Sequence, residues 1–233
     1  MIDMFFYIFF GSMFLTVFLT FGLIIFDLNR QNTLLREQAI KRNGIFVKGS
    51  MRRPMCNVRI LPKIKFVYNN FSFYILLKDS TAETNIFVPL ILPKGQNIWI
   101  HNRRDVLSFI YIPGIHYHTI QTGDIAFGRK FVIKGKNAEI DFIKTLFTPD
   151  VNKALMACSY PSLDIAVHSN ISYYDVGGIE GLHLWIKDYP KTEDDYDELI
   201  NIATSICDRL KESGFTQGSF ASRFSRLDGF FER

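Results

Sequence analysis

The sequence lacks the motifs that identify common classes of enzyme. Its 233 residues contain no Ser-His-Asp nucleophile elbow, no HExxH zinc motif and no Walker nucleotide-binding pattern. Cysteine is scarce as well: the three cysteines are odd in number and widely separated, and none belongs to a CxxC pair. We therefore expect neither a disulfide framework nor a structural zinc site, and reduced thiols fit this pattern.

Charge is absent from one long stretch of the chain. Residues 4–26, MFFYIFFGSMFLTVFLTFGLIIF, carry no charged side chain. An apolar helix of about this length crosses the roughly 30 Å hydrocarbon core of a bilayer. No basic residue precedes the stretch and no small-residue cleavage site ends it, which favours an uncleaved anchor over a signal peptide. The sequence therefore predicts one transmembrane helix in segment 1–27.

Basic residues follow the apolar stretch. Seven lie between residues 28 and 54, against the single acid Glu37. This asymmetry predicts a bacterial inner-membrane protein with its N-terminus outside and its soluble region in the cytoplasm. The whole chain carries only +4, so the basicity is local to the membrane, and we expect a lipid bilayer and no nucleic acid as partner. The residues expected at lipid head groups are Arg30, Arg36, Lys41 and Arg42.

A stripe of small hydroxyl residues runs along the predicted anchor. Ser12, Thr16 and Thr20 recur at every fourth position and so share one helix face. Small residues at this spacing let two membrane helices approach closely, which favours a second copy or a membrane-protein partner at this face. Alternatively, the hydroxyls donate to carbonyls of their own helix.

Segment 28–43 has the composition of a basic juxtamembrane helix. Leu28, Leu35 and Ala39 give it only a thin apolar stripe. A helix this polar is typical of a solvated position. We therefore predict a solvated continuation of the anchor, not a core element.

The next two segments predict an α+β fold. Segment 44–127 is β-rich, with alternating and β-branched runs separated by turn residues. Segment 128–214 alternates strands with helices; one helix begins with Thr148 as N-cap before Pro149, and the clearest begins at a capping box on Thr192. We expect a β-rich half and an α+β half, with helices packed on an antiparallel sheet.

The final segment, 215–233, combines aromatic residues with arginines. Its apolar residues are spaced as one helical face, and its arginines lie off that face. This arrangement suits an interfacial helix or a helix in a partner's groove. Docking on the chain's own domain is an equal alternative. The residues that would make the contact are Phe220, Phe224, Leu227 and Phe231.

Two histidines form the best candidate for a metal site. In a strand, His116 and His118 project to one face about 6–7 Å apart, close enough to share one metal ion. Asp124 or His101 would complete such a site. A histidine pair of this kind on a sheet surface is more often without a metal.

Two further patterns favour structure over chemistry. Asp164 and His168 share a predicted strand face but lie about 13 Å apart, too far for a direct acid–base pair. The glycine-rich run 177–181 follows a strand as a phosphate-binding loop would, yet another strand comes after it. Without a helix N-terminus to hold phosphate, the run predicts a hairpin turn.

Residues 122–175 join an acidic-aromatic turn, an R-x-F-x-I-x-G strand, a helix, a Thr-Pro helix start and two strands. This order resembles an uncharacterised group of bacterial membrane-anchored proteins, in which the strand is R-x-F-x-V-x-G. Ile133 replaces the valine of that pattern, and Phe147 replaces its leucine. The resemblance implies a membrane protein with an α+β domain and brings no known activity. The matching residues are Asp124, Phe127, Arg129, Phe131, Gly135, Thr148, Pro149 and Leu155.

These features predict a non-enzymatic protein, because no catalytic groups converge in the sequence. We expect a single-pass accessory or scaffold subunit of a bacterial membrane assembly that needs no cofactor. Two alternatives remain open. One is a membrane-tethered metal-dependent enzyme or ligand sensor centred on His116 and His118. The other is an adaptor that binds the lipid surface through its tail.

Overall fold

The computed structural model describes residues 2–53, 58–92, 97–103, 118–136, 140–173, 177–216 and 231. The helices in these ranges are α1 (Ile2–Lys41), α2 (Ile125–Lys130), α3 (Ile140–Leu146), α4 (Pro149–Ala157) and α5 (Glu193–Glu212). The strands are β1 (Ile45–Val47), β2 (Ser50–Arg53), β3 (Val58–Ile60), β4 (Lys63–Tyr68), β5 (Phe71–Lys78), β6 (Glu83–Pro89), β7 (Asn97–Asn102), β8 (His118–Ile120), β9 (Phe131–Lys136), β10 (Asp164–Tyr173) and β11 (Gly177–Ile186).

Nine of these strands form one antiparallel sheet. Their order is β1-β4-β5-β6-β11-β10-β7-β9-β8, so strands from the two predicted segments belong to the same sheet, and β11, β10 and β9 of the second segment are inserted among those of the first. Strands β2 and β3 pair with each other and lie outside this sheet. The predicted α+β fold, with an apolar N-terminal helix ahead of helices and an antiparallel sheet, is confirmed.

One face of the sheet carries the apolar core. Ile75, Ile86, Leu184, Ile165 and Ile100 stand in register on five adjacent strands, and none is more than 1% exposed. Apolar side chains of α1, α3, α4 and α5 belong to the same buried cluster. The helices therefore cover this face of the sheet. Because side chains alternate between the two faces of a strand, the neighbouring residues of each strand lie on the opposite face.

The second half of α1 belongs to this core. Leu35 is fully buried and Ala39 is 2% exposed, and Gln31 and Gln38 are fully buried as well. The prediction of a solvated helix over segment 28–43 is therefore wrong. Apolar periodicity underestimated the buried face because three of its seven buried residues, Gln31, Asn32 and Gln38, are polar.

The capping signals in the sequence are confirmed. Thr192 and Asp195 form a reciprocal capping box at the start of α5, and Gly214, with φ of 74°, follows its end. Thr148 is the N-cap of α4, with proline at the first helical position. The hydrogen bonds of the capping box satisfy backbone groups that the start of α5 leaves open. The Thr148 side chain makes no such bond at the start of α4.

The glycine-rich run occupies a strand and not a turn. Gly177 begins β11, which pairs with β10 as an antiparallel hairpin, so the run 177–181 lies in the second strand of that hairpin. Gly181 has a φ of 150°, and a Cβ there would lie 2.2 Å from the carbonyl oxygen of Val88. A close approach of backbone to backbone, and not turn geometry, requires glycine at this position.

Candidate functional site

The first half of α1 has the length and composition of a membrane-spanning helix. The described segment Phe9–Lys41 includes a window with a mean hydropathy of 2.2, and none of that window is buried in the protein. Residues 9–20 are exposed on all sides of the helix; for example, Phe14 is 60% exposed and Phe18 is 72% exposed. A helix that is apolar all round needs an apolar surrounding. Within the described residues, this is the one helix that meets the length and hydropathy of a membrane span.

The second half of α1 is fixed to the domain by buried amide side chains. Gln31 donates from Nε2 to the carbonyl of Pro190 at 2.9 Å, and its Oε1 accepts from the hydroxyl of Tyr196 at 2.8 Å. Gln38 donates to the carbonyl of Glu193 at 3.2 Å. Each bond satisfies a buried polar group that would be costly to leave unpaired. Helix α1 is therefore held in one position against the start of α5.

Ion pairs also join α1 to α5, near the C-terminal end of α1. Lys41 and Arg42 both approach the carboxylate of Asp197, at 2.5 Å and 2.6 Å. Burial raises the pKa of Asp197, but hydrogen bonds and charge from these two cations outweigh burial and leave that pKa below its usual value. The guanidinium of Arg42 also lies 5.6 Å from the ring centroid of Phe66. Both predicted lipid-binding cations thus have partners on the domain.

The other two predicted lipid-binding residues lie nearer the apolar half. Arg30 pairs with Asp27 at 2.6 Å, one helical turn earlier on α1. Arg36 is exposed. Lipid contact by Arg30, Arg36, Lys41 and Arg42 stays a prediction.

The hydroxyl stripe of the anchor bonds to its own helix. Ser12, Thr16 and Thr20 donate to the carbonyls of Phe9, Ser12 and Thr16 respectively, each at 2.8 Å. This is the geometry of the alternative in which the hydroxyls satisfy carbonyls within one helix. The stripe remains exposed, and contact with a second membrane helix stays a prediction.

The predicted metal site is described only in part. His118 is exposed on β8, an edge strand of the sheet, and His116 lies outside the described residues. The Asp124 carboxylate accepts from the backbone N–H of Phe127 at 3.0 Å and so serves as the N-cap of α2. In the part of the chain that the structure describes, no three His, Cys, Asp or Glu side chains cluster to hold a metal ion. Metal binding by His116 and His118 stays a prediction.

His101 does not complete a site with His118. His118 stands opposite Gly135 of β9, whereas His101 stands opposite Val132. Positions three residues apart on one strand point to opposite faces. The two histidines therefore lie on different sides of the sheet.

His101 instead forms a buried pair with Asp164. The two residues are direct neighbours in the register of β7 and β10, with His101 Nδ1 2.7 Å from Asp164 Oδ1, and each is 3% exposed. A carboxylate only accepts, so Nδ1 carries the proton, and Nε2 has no hydrogen-bond partner among the described residues. Such a nitrogen can accept a hydrogen bond or a metal ion. The sequence missed this pair because 63 residues separate its members.

Aromatic rings surround this pair on the sheet face opposite the apolar core, which we call the second face. The ring of Trp99 lies 5.4 Å from that of His101 and 5.5 Å from that of Trp185. His183 stacks between Trp185, at 4.5 Å, and Phe87, at 4.2 Å. Burial lowers the pKa of His183 to about 3, so this histidine is neutral at physiological pH. The second face is thus a packed aromatic layer with a polar pair in it.

One residue of the aromatic tail contacts this face. The ring of Phe231 lies 5.7 Å from that of Tyr74, and Lys63 Nζ lies 5.3 Å from the Phe231 ring centroid. Tyr74 stands opposite Phe87 of the second face. This contact is of the kind expected if the tail docks on its own domain. Phe220, Phe224 and Leu227 lie outside the described residues, and contact of the tail with a membrane or partner stays a prediction.

Two aromatic residues of the pattern shared with the membrane-anchored group, Phe127 and Phe131, lie in the core. Phe127 and Phe131 are buried, with ring centroids 5.1 Å apart. Lys130, between them, donates to three carbonyls at the end of α4, those of Leu155, Met156 and Cys158. The resemblance itself stays a prediction.

No protein-family model matches the chain, and no curated protein matches it in sequence. Among solved structures, the fold resembles the crystal structure of the mycobacterial trehalose monomycolate transport factor A, TtfA. The TM-score is 0.48 at 8% sequence identity, and the alignment covers 78% of this chain and 93% of that chain. A likeness of this size carries no argument about function.

Proposed function

We propose that this chain is a single-pass membrane-anchored accessory or scaffold subunit of a bacterial membrane protein assembly. The proposal concerns where the domain is held and what it joins, not a reaction. In the described part of the chain, the polar groups of the second face are packed among aromatic rings, and no metal-binding cluster is present.

The observation that carries the proposal is the continuity of α1. One helix of 40 residues is exposed and apolar in its first half and buried in the domain core in its second half. A helix of this length extends about 60 Å. The membrane segment and the domain are consequently joined without a flexible linker, so a partner that binds the anchor also fixes the position of the domain.

We propose that the domain lies on the cytoplasmic side of a bacterial inner membrane. Basic residues cluster directly after the apolar stretch, with only Glu37 among seven of them. Such a flank is retained on the cytoplasmic side during insertion. Protease added to sealed inverted vesicles, in which the cytoplasmic face points outward, should digest the domain; digestion in right-side-out vesicles instead would contradict this orientation.

The test of the accessory role is purification from the native membrane. We expect full-length protein, solubilised in mild detergent, to carry a second membrane protein at stoichiometric amounts. Leucine at Ser12, Thr16 and Thr20 should release that partner, because larger side chains prevent close approach of two helices. The matched control is Phe14→Leu/Phe18→Leu, which changes apolar residues two positions off the stripe and so on the far side of the helix.

Two results would contradict the proposal. Recovery of the protein alone from mild detergent would remove the accessory role. Release of the protein from membranes by alkaline carbonate would show that α1 does not span them.

A further inference from the structure

We propose that the hairpin of β2 and β3 is a second membrane-contacting element, which binds anionic phospholipid head groups beside the anchor. Its described residues are Ser50–Arg53 and Val58–Ile60, paired with Ser50 opposite Ile60 and Met51 opposite Arg59. The hairpin lies outside the nine-stranded sheet. This inference rests on the proposed function, since it requires that α1 spans a bilayer.

The direction of the chain brings the hairpin toward the apolar half of α1. After α1, the chain reverses at Asn43, which has a φ of 56°, and Gly44 donates back to the carbonyl of Ala39 at 2.8 Å. Further along, Gly49 and Asn32 bond in both directions, at 2.7 Å and 3.2 Å. Asn32 precedes Lys41 by about 13 Å along the helix. The chain from residue 44 to residue 49 therefore runs back along α1 toward the membrane.

The length of β2 is sufficient to reach the bilayer surface. Asn32 lies about 9 Å beyond Phe26, the last residue of the apolar stretch, at the rise of a helix. The four residues of β2 extend about 13 Å at the rise of a strand. Head groups occupy roughly 5–7 Å on each side of the hydrocarbon core. A strand that continues from Gly49 in the direction of β1 therefore crosses this layer.

The exposure pattern of α1 supports the same placement. Phe21, Ile25 and Leu28 precede Asn32 by eleven, seven and four residues and share its side of the helix. Leu28 is buried and the other two are half-buried. Leu23 and Phe26, at the same depth on other sides, are 69% and 66% exposed. Protein thus covers the anchor on the side where Gly49 leads into the hairpin.

Charge identifies the expected ligand. No acidic residue lies between Glu37 and Asp79, and three arginines, at positions 52, 53 and 59, occur in the two strands of the hairpin. Arginine binds phosphate with paired hydrogen bonds. Lys41 and Arg42 lie near the end of α1, away from the hairpin, and pair with Asp197. The hairpin is accordingly a basic element whose position suits contact with phosphate head groups.

The experiment compares the hairpin with the start of β1 in the full-length protein. Met51→Cys carries an environment-sensitive fluorophore at the hairpin, and Ile45→Cys carries it at the exposed start of β1. Both variants include Cys56→Ser, and the remaining cysteines, Cys158 and Cys207, are buried. In vesicles of equal parts phosphatidylcholine and phosphatidylglycerol, we expect a blue shift at residue 51 and quenching by nitroxide-labelled head groups, with neither effect at residue 45.

Charge reversal tests the ligand. Arg52→Glu/Arg53→Glu should abolish the quenching at residue 51. The control Lys144→Glu/Lys153→Glu makes the same charge change at exposed positions of α3 and α4 and should preserve it. A label at Ile60→Cys repeats the measurement on β3 if the residue 51 variant does not fold.

The outcomes separate this inference from the proposed function. Protein that resists alkaline carbonate but shows no quenching at residues 51 and 60 overturns the hairpin contact alone. Quenching that survives charge reversal, or that is equal in pure phosphatidylcholine, overturns the anionic ligand. Protein released by carbonate overturns the anchor and the hairpin contact together.

Discussion

In each half of α1, the burial of the side chains is the reverse of what the composition suggests. The first half is almost entirely apolar, yet its side chains are exposed on the protein; Leu15 is 62% exposed. The second half is polar and basic, yet Leu35 and two glutamines are fully buried. One continuous helix thus has an apolar, exposed first half and a polar second half that lies in the protein core.

This difference shows that a polar helix can dock on a protein core through buried amide side chains. Buried amides reach backbone carbonyls of Pro190 and Glu193, where the preceding loop leads into α5. Because these partners are main-chain atoms, the contact depends on the conformation of the loop more than on which side chains it carries. Substitutions placed in each half test this contrast.

The same substitution in each half gives the largest contrast. Leu35→Ala removes a fully buried side chain and should lower the free energy of unfolding by about 2–5 kcal/mol. Leu15→Ala should leave domain unfolding unchanged, because that side chain contacts no core. Denaturant titration of the full-length protein in detergent, followed by near-UV circular dichroism, measures both. An equal loss for Leu15→Ala would show that the two halves are not distinct.

The buried amide should have the next largest effect. Gln31→Leu keeps the size of the side chain but leaves the hydroxyl of Tyr196 and the carbonyl of Pro190 without this partner. We expect a loss of about 1–3 kcal/mol in the same titration. Asn29→Leu, at an exposed position two residues away, is the control and should change little. Greater stability in Gln31→Leu would mean that apolar burial, and not hydrogen bonding, holds the helix.

The sequence predicted the features that depend on local order. The apolar stretch, the capping box at Thr192 and the alternation that identifies strands each involve residues close together in the chain, and the α+β fold follows from them. The buried side of the second half of α1 escaped prediction because Gln31 and Gln38 occupy core positions that periodicity reserves for apolar residues. Its partners lie more than 150 residues away in sequence.

The sequence did not predict the His101–Asp164 pair of the second face for a related reason. From the sequence, the partner that suggests itself for Asp164 is His168 on the same predicted strand, and about 13 Å separates those two positions. Its partner is His101, which lies opposite it on β7. Register between strands far apart in sequence depends on the packing of the whole sheet, so no local signal indicates the pair.

The ion pairs at the end of α1 should contribute less than the buried groups. Asp197→Asn removes the charge that Lys41 and Arg42 share, and partly exposed pairs contribute about 1 kcal/mol or less. Since the pKa of Asp197 lies below its ordinary 3.8 in the folded protein, its stabilisation is full above that value and is lost as the pH falls further. The melting temperatures of wild type and variant should therefore converge in acid. A constant difference across this range would assign the loss to packing.

The smallest effect is expected in the apolar half. Thr16→Val keeps the shape of the side chain and removes a hydroxyl that bonds only to the carbonyl of Ser12 in the described structure. Domain unfolding should change by less than about 0.5 kcal/mol, and a partner that needs only close helix approach should remain bound. Loss of the partner with an unchanged domain would show that the hydroxyl leaves its own helix to bond across the interface. A loss of domain stability would instead mean that the apolar half also contacts the domain, which would remove the distinction between the two halves.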